Sequence, residues 1–213
     1  MPAVRLPSVL ILGPTGAGKT PLGDFWQTWG LAGRRCFHFD FGAELRAAAA
    51  SESRLEPADL EIVRRALRTG ALLEDGQFPI ALKILASFIR ERGVGSNDIL
   101  ILNGLPRHAG QARDMEAYVE IKAVVRLRAA RPVILARIRS NAAGDRAGRT
   151  DDDHEAVAVR WRLFEARTAP LEAFYGQQGV PLLIIEVAAD TSPAAMAEGV
   201  RDGLEVVFSD RLR

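Results

Sequence analysis

The apolar run Val9-Leu10-Ile11-Leu12 passes without interruption into Gly13-Pro14-Thr15-Gly16-Ala17-Gly18-Lys19-Thr20. This string satisfies the phosphate-binding loop pattern in full, with two glycines at the required separation followed by Lys and Thr. Its chemistry restricts the fold to a strand, a tight loop and a helix. The glycines let the backbone curl until successive N–H groups face one anion, and the following helix adds its positive end. Lys19 then reaches the β- and γ-phosphates of a nucleotide, and the Thr20 hydroxyl is placed to ligate Mg²⁺.

Further strand candidates follow at Cys36–Phe39, Ile99–Leu102, Val124–Leu127 and Leu182–Val187, with helical stretches between them. Such alternation predicts an α/β fold, a parallel sheet covered by helices on both faces. Ligands of these sheets bind beyond the carboxyl ends of the strands, here Gly13, Asp40, Asn103 and Arg128. In Asp75–Arg92, Phe78, Leu82, Leu85 and Ile89 recur at helical spacing. In a long helix from about Asp151, Val157, Trp161, Phe164, Leu171 and Tyr175 do the same. All are read as core. Pro132 suits a first helical turn. Ala47–Thr69 and Asn141–Arg149 are looser, the latter a short surface flap with two glycines and no large apolar residue.

At 213 residues the chain suffices for one domain with a substantial core. Its 28 basic and 27 acidic residues nearly balance, so no global field points to nucleic acid or an anionic membrane. One cysteine, Cys36, excludes an internal disulfide framework and reads as a buried structural thiol in a reducing compartment. No apolar segment approaches the roughly 20 residues that span a bilayer, and no signal-like apolar region precedes the first strand. A cytoplasmic monomer is expected. His38, His108 and His154 show no metal-ligand spacing; His38 reads as a strand residue, and His108 follows an arginine that faces the cleft.

Three further motifs carry chemistry. Gly42-x-x-Leu45-Arg46 follows the second strand, Asn103-Gly104-Leu105-Pro106-Arg107 with Gln111 follows the third, and Arg149-Thr150-Asp151-Asp152 precedes Arg160. With Arg137, arginines from several separate segments surround one predicted cleft. Phosphoryl transfer spreads negative charge over several oxygens, which guanidinium groups meet with planar, permanently charged donors. Such a cluster beside a phosphate loop points to two phosphate sites, a donor and an acceptor.

In these motifs, their order and spacing, the chain resembles the adenylate kinase-type nucleoside monophosphate kinases along nearly its whole length. Gly42-Ala43-Glu44-Leu45-Arg46 matches that family's Gly-Asp-x-Leu-Arg, Asn103 to Arg107 with Gln111 its Asp-Gly-Phe-Pro-Arg and Gln, and Arg149, Asp151, Asp152 and Arg160 its Arg-x-Asp-Asp and later Arg. Thr168-Ala169-Pro170-Leu171 and Phe174-Tyr175 resemble its helix ending. The resemblance implies a three-layer P-loop fold with a five-stranded parallel sheet, a helical acceptor-binding insert at about 42–71 and a short lid at about 141–149, all within one domain over 1–213 whose core is 1–41, 72–140 and 150–213. It implies transfer of the γ-phosphoryl of ATP–Mg²⁺ to a nucleoside monophosphate, with AMP favoured. Gly13 to Thr20 would cradle the donor phosphates. Phe41, Gly42, Arg46, Gly104 and Arg107 would hold the acceptor, and Gln111 would read its base. Lys19, Arg107, Arg137, Arg149 and Arg160 would carry catalysis, Asp151 and Asp152 would orient the lid arginines, and Asp190 and Pro193 would pass the donor adenine.

The chain also departs from that pattern. Phe41 replaces a Thr and can stack on a base, Ala43 replaces an Asp, Asn141 stands where a second Arg belongs, and Thr20-Pro21 replaces Gly-Thr. Asn103 replaces the carboxylate that supports the magnesium waters. The cysteine-free lid excludes zinc. Asp40 either takes over part of the missing carboxylate's role or merely caps the helix starting near Gly42. Two other readings stay open: a kinase of a small hydroxyl metabolite, similar to shikimate kinase, with Asp40 as base, and a nucleotide-binding regulatory module that has lost efficient transfer.

Overall fold

The computed structural model describes residues 5–51, 55–141 and 154–209. Its strands are β1 (Leu6–Leu12), β2 (Cys36–Asp40), β3 (Ile99–Asn103), β4 (Val119–Arg128) and β5 (Leu182–Glu186). They form one all-parallel sheet in the order β2-β3-β1-β4-β5. β1 is central and buried at every position, as an apolar run covered on both faces must be. β4 is far longer than Val124–Leu127, because Val119-Glu120-Ile121-Lys122 alternates apolar and polar residues and pairs alongside Leu6–Ser8. β5 is an edge strand, which leaves Leu182 and Ile184 37% and 42% exposed.

The helices are α1 (Lys19–Trp29), α2 (Phe41–Ala50), α3 (Pro57–Thr69), α4 (Phe78–Arg92), α5 (Ala109–Met115), α6 (Arg131–Ser140), α7 (His154–Leu163), α8 (Leu171–Gly176), α9 (Pro193–Glu198) and α10 (Arg201–Phe208). Two apolar clusters flank the sheet. One joins Leu10, Leu102 and Val124 to α2, α3, α4, α5 and α8; the other joins Val9, Ile101 and Val125 to α1, α6, α9 and α10. Among the described residues no helix is long and apolar enough to cross a membrane.

Two helix readings need correction. On α4 the buried stripe is Phe78, Ala81, Ile84, Leu85 and Phe88, whereas Leu82 and Ile89 are only partly buried. The helix lies between the sheet and α2, and its apolar face is wide enough that spacing alone left its phase ambiguous. The long helix assigned from Asp151 to Tyr175 is two helices. Pro170 lacks an N–H and cannot continue the ladder, so α7 widens into a π-turn at Phe164–Thr168, with Ala169 N–H donating to the Phe164 carbonyl at 2.8 Å, before α8 begins. Val157, Phe164, Leu171 and Tyr175 are buried, and Trp161 packs half-buried against the opposite cluster.

Candidate active site

The loop after β1 has the geometry that its glycines allow. Gly16 and Gly18 have φ of +81° and +102°, where a Cβ is strained, and Gly18 is the N-cap of α1. A Cβ on Gly16 would also stand 2.9 Å from Ile138 of α6, so the loop is tightly backed. Lys19 Nζ donates to the Gly13 and Pro14 carbonyls at 2.8 and 2.9 Å, which arches the ammonium over the loop. Pro21 is harmless in the first turn of α1, whose amides have no intrahelical acceptor.

Because the strands are parallel and in register, Asp40 and Asn103 come to lie side by side at the ends of β2 and β3, next to Thr20. Thr20 Oγ1 donates to Asp40 Oδ2 at 2.6 Å, and Asn103 Nδ2 donates to Thr20 Oγ1 at 3.1 Å and Asp40 Oδ2 at 3.2 Å. Asp40 Oδ1 accepts from Ala43 N–H at 3.0 Å and caps α2. Asp40 thus caps α2, one of the two readings the sequence left open, and the same carboxylate also bonds the loop threonine. Burial pushes its pKa up, but the hydrogen bonds from Thr20 and Ala43, together with the positive charge of Arg46, outweigh burial and hold it below the usual carboxylate value.

A cleft of about 550 Å³ opens over these strand ends, between the phosphate loop and α2, α3 and α7. Arg46 from α2, Arg107 from the loop after β3, Arg137 from α6 and Arg160 from α7 all line it, together with Gly42 and Gly104. Four elements distant in sequence therefore bring these arginines to one space. Arg107 is held from three sides: its Nε donates to the Gly104 carbonyl at 2.8 Å, its N–H donates to Gln111 Oε1 at 2.8 Å, and its carbonyl accepts from Thr168 Oγ1 at 2.9 Å. Burial lowers its pKa, the charge of Asp40 raises it, and Arg160 across the cleft lowers it further. The guanidinium remains charged at neutral pH. Arg137 Nη1 donates to the carbonyls of Ala188, Ala189 and Thr191, which ties the loop of Asp190, ahead of Pro193 at the start of α9, to α6.

Two expected acceptor residues are not at the cleft surface. Phe41 is 2% exposed and stacks on Phe39 with ring centroids 6.0 Å apart, so its side chain belongs to the core. Gln111 is 1% exposed, and its Nε2 donates to the Leu73 carbonyl at 2.7 Å. It braces the wall behind Arg107 and Leu73. Asn141 ends α6 with φ +42°, a left-handed C-cap that Asn tolerates better than Arg. Arg149, Asp151 and Asp152 lie outside the described residues. His108 is buried and caps α5 through Nδ1 and the Gln111 N–H. Cys36 is buried, and burial with the charge of Asp98 pushes its thiol up to about 12.

The outer wall of the cleft is Ala66, Leu67, Arg68, Thr69 and Leu72, at the end of the segment expected as the acceptor-binding insert, although none of these residues was singled out from the sequence. Gly70, with φ +68°, ends α3 in a left-handed turn that folds this segment back over the site. The only signal was the Thr-Gly pair, which fixes a helix end and not the direction the chain takes afterwards.

A phosphate loop at the centre of a parallel sheet, faced across one cleft by arginines from four elements, defines a phosphotransferase built to hold two phosphorylated groups. No protein-family model matches the chain. It is 32% identical over 178 residues to an adenylate kinase of Parvibaculum lavamentivorans, covering 80% of each chain. It is 32% identical over 181 residues to an adenylate kinase of Methylobacterium radiotolerans, covering 80% of this chain and 84% of that one. An adenylate kinase of Prochlorococcus marinus is 27% identical over 178 residues, covering 81% of this chain and 86% of its own length. The chain belongs to the adenylate kinase family and is a divergent nucleoside monophosphate kinase.

Proposed function

We propose that this chain transfers the γ-phosphoryl group of ATP, bound with Mg²⁺, to AMP, yielding two ADP. The observation that carries this reading is the convergence of Arg46, Arg107, Arg137 and Arg160 on a cleft whose floor is the phosphate loop. The loop N–H groups and Lys19 take the donor β- and γ-phosphates. Arg46 and Arg107 take the acceptor phosphate, and Arg107, Arg137 and Arg160, with Arg149 from the lid, surround the phosphoryl group in flight. The protein's task is to align the two nucleotides, supply positive charge and exclude water. Asp151 and Asp152 orient the lid arginines through charge-assisted pairs.

The residues present fit Mg²⁺. Thr20 and Asp40 offer hard oxygen donors, and among the described residues no group of three His, Cys, Asp or Glu could cage an ion. This suits a cation that arrives coordinated to the nucleotide phosphates. When bound, Mg²⁺ neutralises charge on the β- and γ-oxygens. Asp40, adjacent to Thr20, replaces the carboxylate that Asn103 lacks. Its depressed pKa and its two committed oxygens make it a poor base for a hydroxyl substrate, which weighs against a small-metabolite kinase.

The preference for AMP is supported by the relatives, which are adenylate kinases, while Gln111 serves the acceptor side indirectly by holding the Arg107 backbone. A coupled assay of ADP formation with AMP, GMP, CMP, UMP or no acceptor tests the proposal. Rapid turnover with AMP is expected. Equal turnover without an acceptor, or none with any monophosphate, would overturn it.

A further inference from the structure

Asn103 looks like a loss when it is compared with a carboxylate, but its surroundings say otherwise. Its Nδ2 has three neighbours: Thr20 Oγ1 at 3.1 Å, Asp40 Oδ2 at 3.2 Å and His38 Nε2 at 3.4 Å. Each can only accept. Both Asp40 oxygens accept, Oδ2 from Thr20 Oγ1 and Oδ1 from the Ala43 N–H. Thr20 has spent its one hydrogen on Asp40 at 2.6 Å. His38 Nδ1 is 2.8 Å from Asp24 Oδ1, so in the neutral ring the proton belongs on Nδ1, toward that carboxylate, and Nε2 faces the Asn103 amide as an acceptor. The centre of three acceptors requires a donor, and an amide nitrogen is one.

Helix α1 builds this arrangement from behind. Gln27 Oε1 accepts from the His38 backbone N–H at 3.1 Å, and Asp24, 58% exposed, reaches in from the surface to the buried ring. Gly23 leaves room for the imidazole, since a Cβ there would stand 2.4 Å from its Cδ2 and Nε2. The helix that carries the phosphate-loop threonine therefore also sets the tautomer of the histidine behind Asn103.

We propose that Asn103 is required as an amide, that its carboxylate partner has moved one strand over to Asp40, and that His38, oriented by Asp24, is the positioning residue that fixes the Asn103 amide against the Thr20–Asp40 pair. This rests on the reading of Thr20 and Asp40 as the nucleotide–Mg²⁺ site. An aspartate at this position of β3 would set oxygen against three acceptors and place two carboxylates about 3 Å apart, where like charges oppose joint ionisation.

The test compares N103D, the exchanged double variant D40N/N103D, H38Q and H38F, all checked for an intact thermal transition. The readouts are the Mg²⁺-dependent affinity for a non-hydrolysable ATP analogue by calorimetry, and kcat and KM separately. N103D should lose about tenfold or more in that affinity, although it restores an acidic residue, because a buried acceptor facing acceptors loses a charge-assisted bond. The exchanged variant, in which the amide now on β2 donates to the carboxylate now on β3, should recover most of the loss. H38Q keeps an acceptor near Asn103 and should stay close to the parent, whereas H38F should weaken nucleotide–Mg²⁺ binding and lower kcat. Nitrogen-15 spectra of the parent should show the His38 ring protonated at Nδ1, a readout that needs no variant to fold. N103D that binds as well as the parent, an exchanged variant no better than N103D, H38F that changes only thermal stability, or an Nε2-protonated ring would each overturn the proposal. Inability to phosphorylate any monophosphate would instead overturn the acceptor reading, and the binding comparison would remain readable.

Discussion

Asp40 serves two structures with one carboxylate, so its substitutions should separate them. D40A removes both the α2 cap and the Thr20 contact and should cost about 1 kcal/mol of stability for the cap alone. D40N keeps a capping oxygen and should unfold near the parent midpoint while turnover falls. The folded-state pKa of Asp40 lies below its unfolded value, so its contribution is in place above the unfolded value of about 3.9 and is lost as pH falls through the depressed one. Urea midpoints measured between neutral pH and pH 2 should therefore fall less steeply for D40N than for the parent. Cys36 gives a second check at this scale. With its pKa pushed up to about 12, the buried thiol should resist a disulfide exchange reagent at pH 8 in the native protein and react fully once urea unfolds it. Gln111 bonds the backbone of both Arg107 and Leu73. Q111A should therefore raise the KM for AMP and also lower the thermal midpoint, as expected when buried groups lose their partners.

Elements fit together here through small residues and buried charges. G23A would force a methyl into the His38 ring and should cost about 1–3 kcal/mol, seen as a lowered urea midpoint, unless the imidazole leaves its pocket. On the opposite face, Arg126 of β4 pairs with Glu172 of α8 at 2.6 Å and lies 4.5 Å from the Phe164 ring of the π-turn. E172A would leave a guanidinium that is 10% exposed without its carboxylate, and a loss of about 3 kcal/mol is expected in denaturant titrations. The two cases also mark how far the sequence could be read. The apolar runs at Val9 and Ile99 announced buried parallel strands because nothing polar interrupts them, and the motifs gave the cleft arginines because spacing after a strand fixes where a side chain emerges. Neither the charged half of β4 nor the break at Pro170 stood out, since each depends on what the neighbouring element supplies. Phe41 and Gln111 were assigned to the ligand because a motif gives position along the chain but not the side of the backbone that faces the cleft. Asp24 and His38 were missed because their link runs between α1 and β2, through a gap that only Gly23 leaves.

For the molecule as a whole, a formal net charge of +1 means that anion attraction is local to the cleft and not a property of the surface at large. Six cationic side chains, Lys19, Arg46, Arg68, Arg107, Arg137 and Arg160, line this space against only Asp40 and Glu155, so they repel each other at a cost that anion binding relieves. A ligand that bridges the phosphate loop and the wall of Arg46 and Arg107 relieves it on both sides and loses its translational freedom once. Two adenosines joined through a chain of five phosphates should therefore raise the thermal midpoint well above the value reached with an ATP analogue and AMP added separately at equal concentration. At 100 times its dissociation constant the stabilisation should be about 2.7 kcal/mol. R46A should shrink the advantage of the linked ligand while leaving the shift from the ATP analogue alone nearly intact, because Arg46 touches only the acceptor half, and R107A should shrink that advantage more than it shrinks the ATP-analogue shift, because Arg107 also meets the transferred phosphoryl group. If either substitution weakens both ligands in proportion, the two arginines serve the donor site, and the assignment of an acceptor half to this side of the cleft fails.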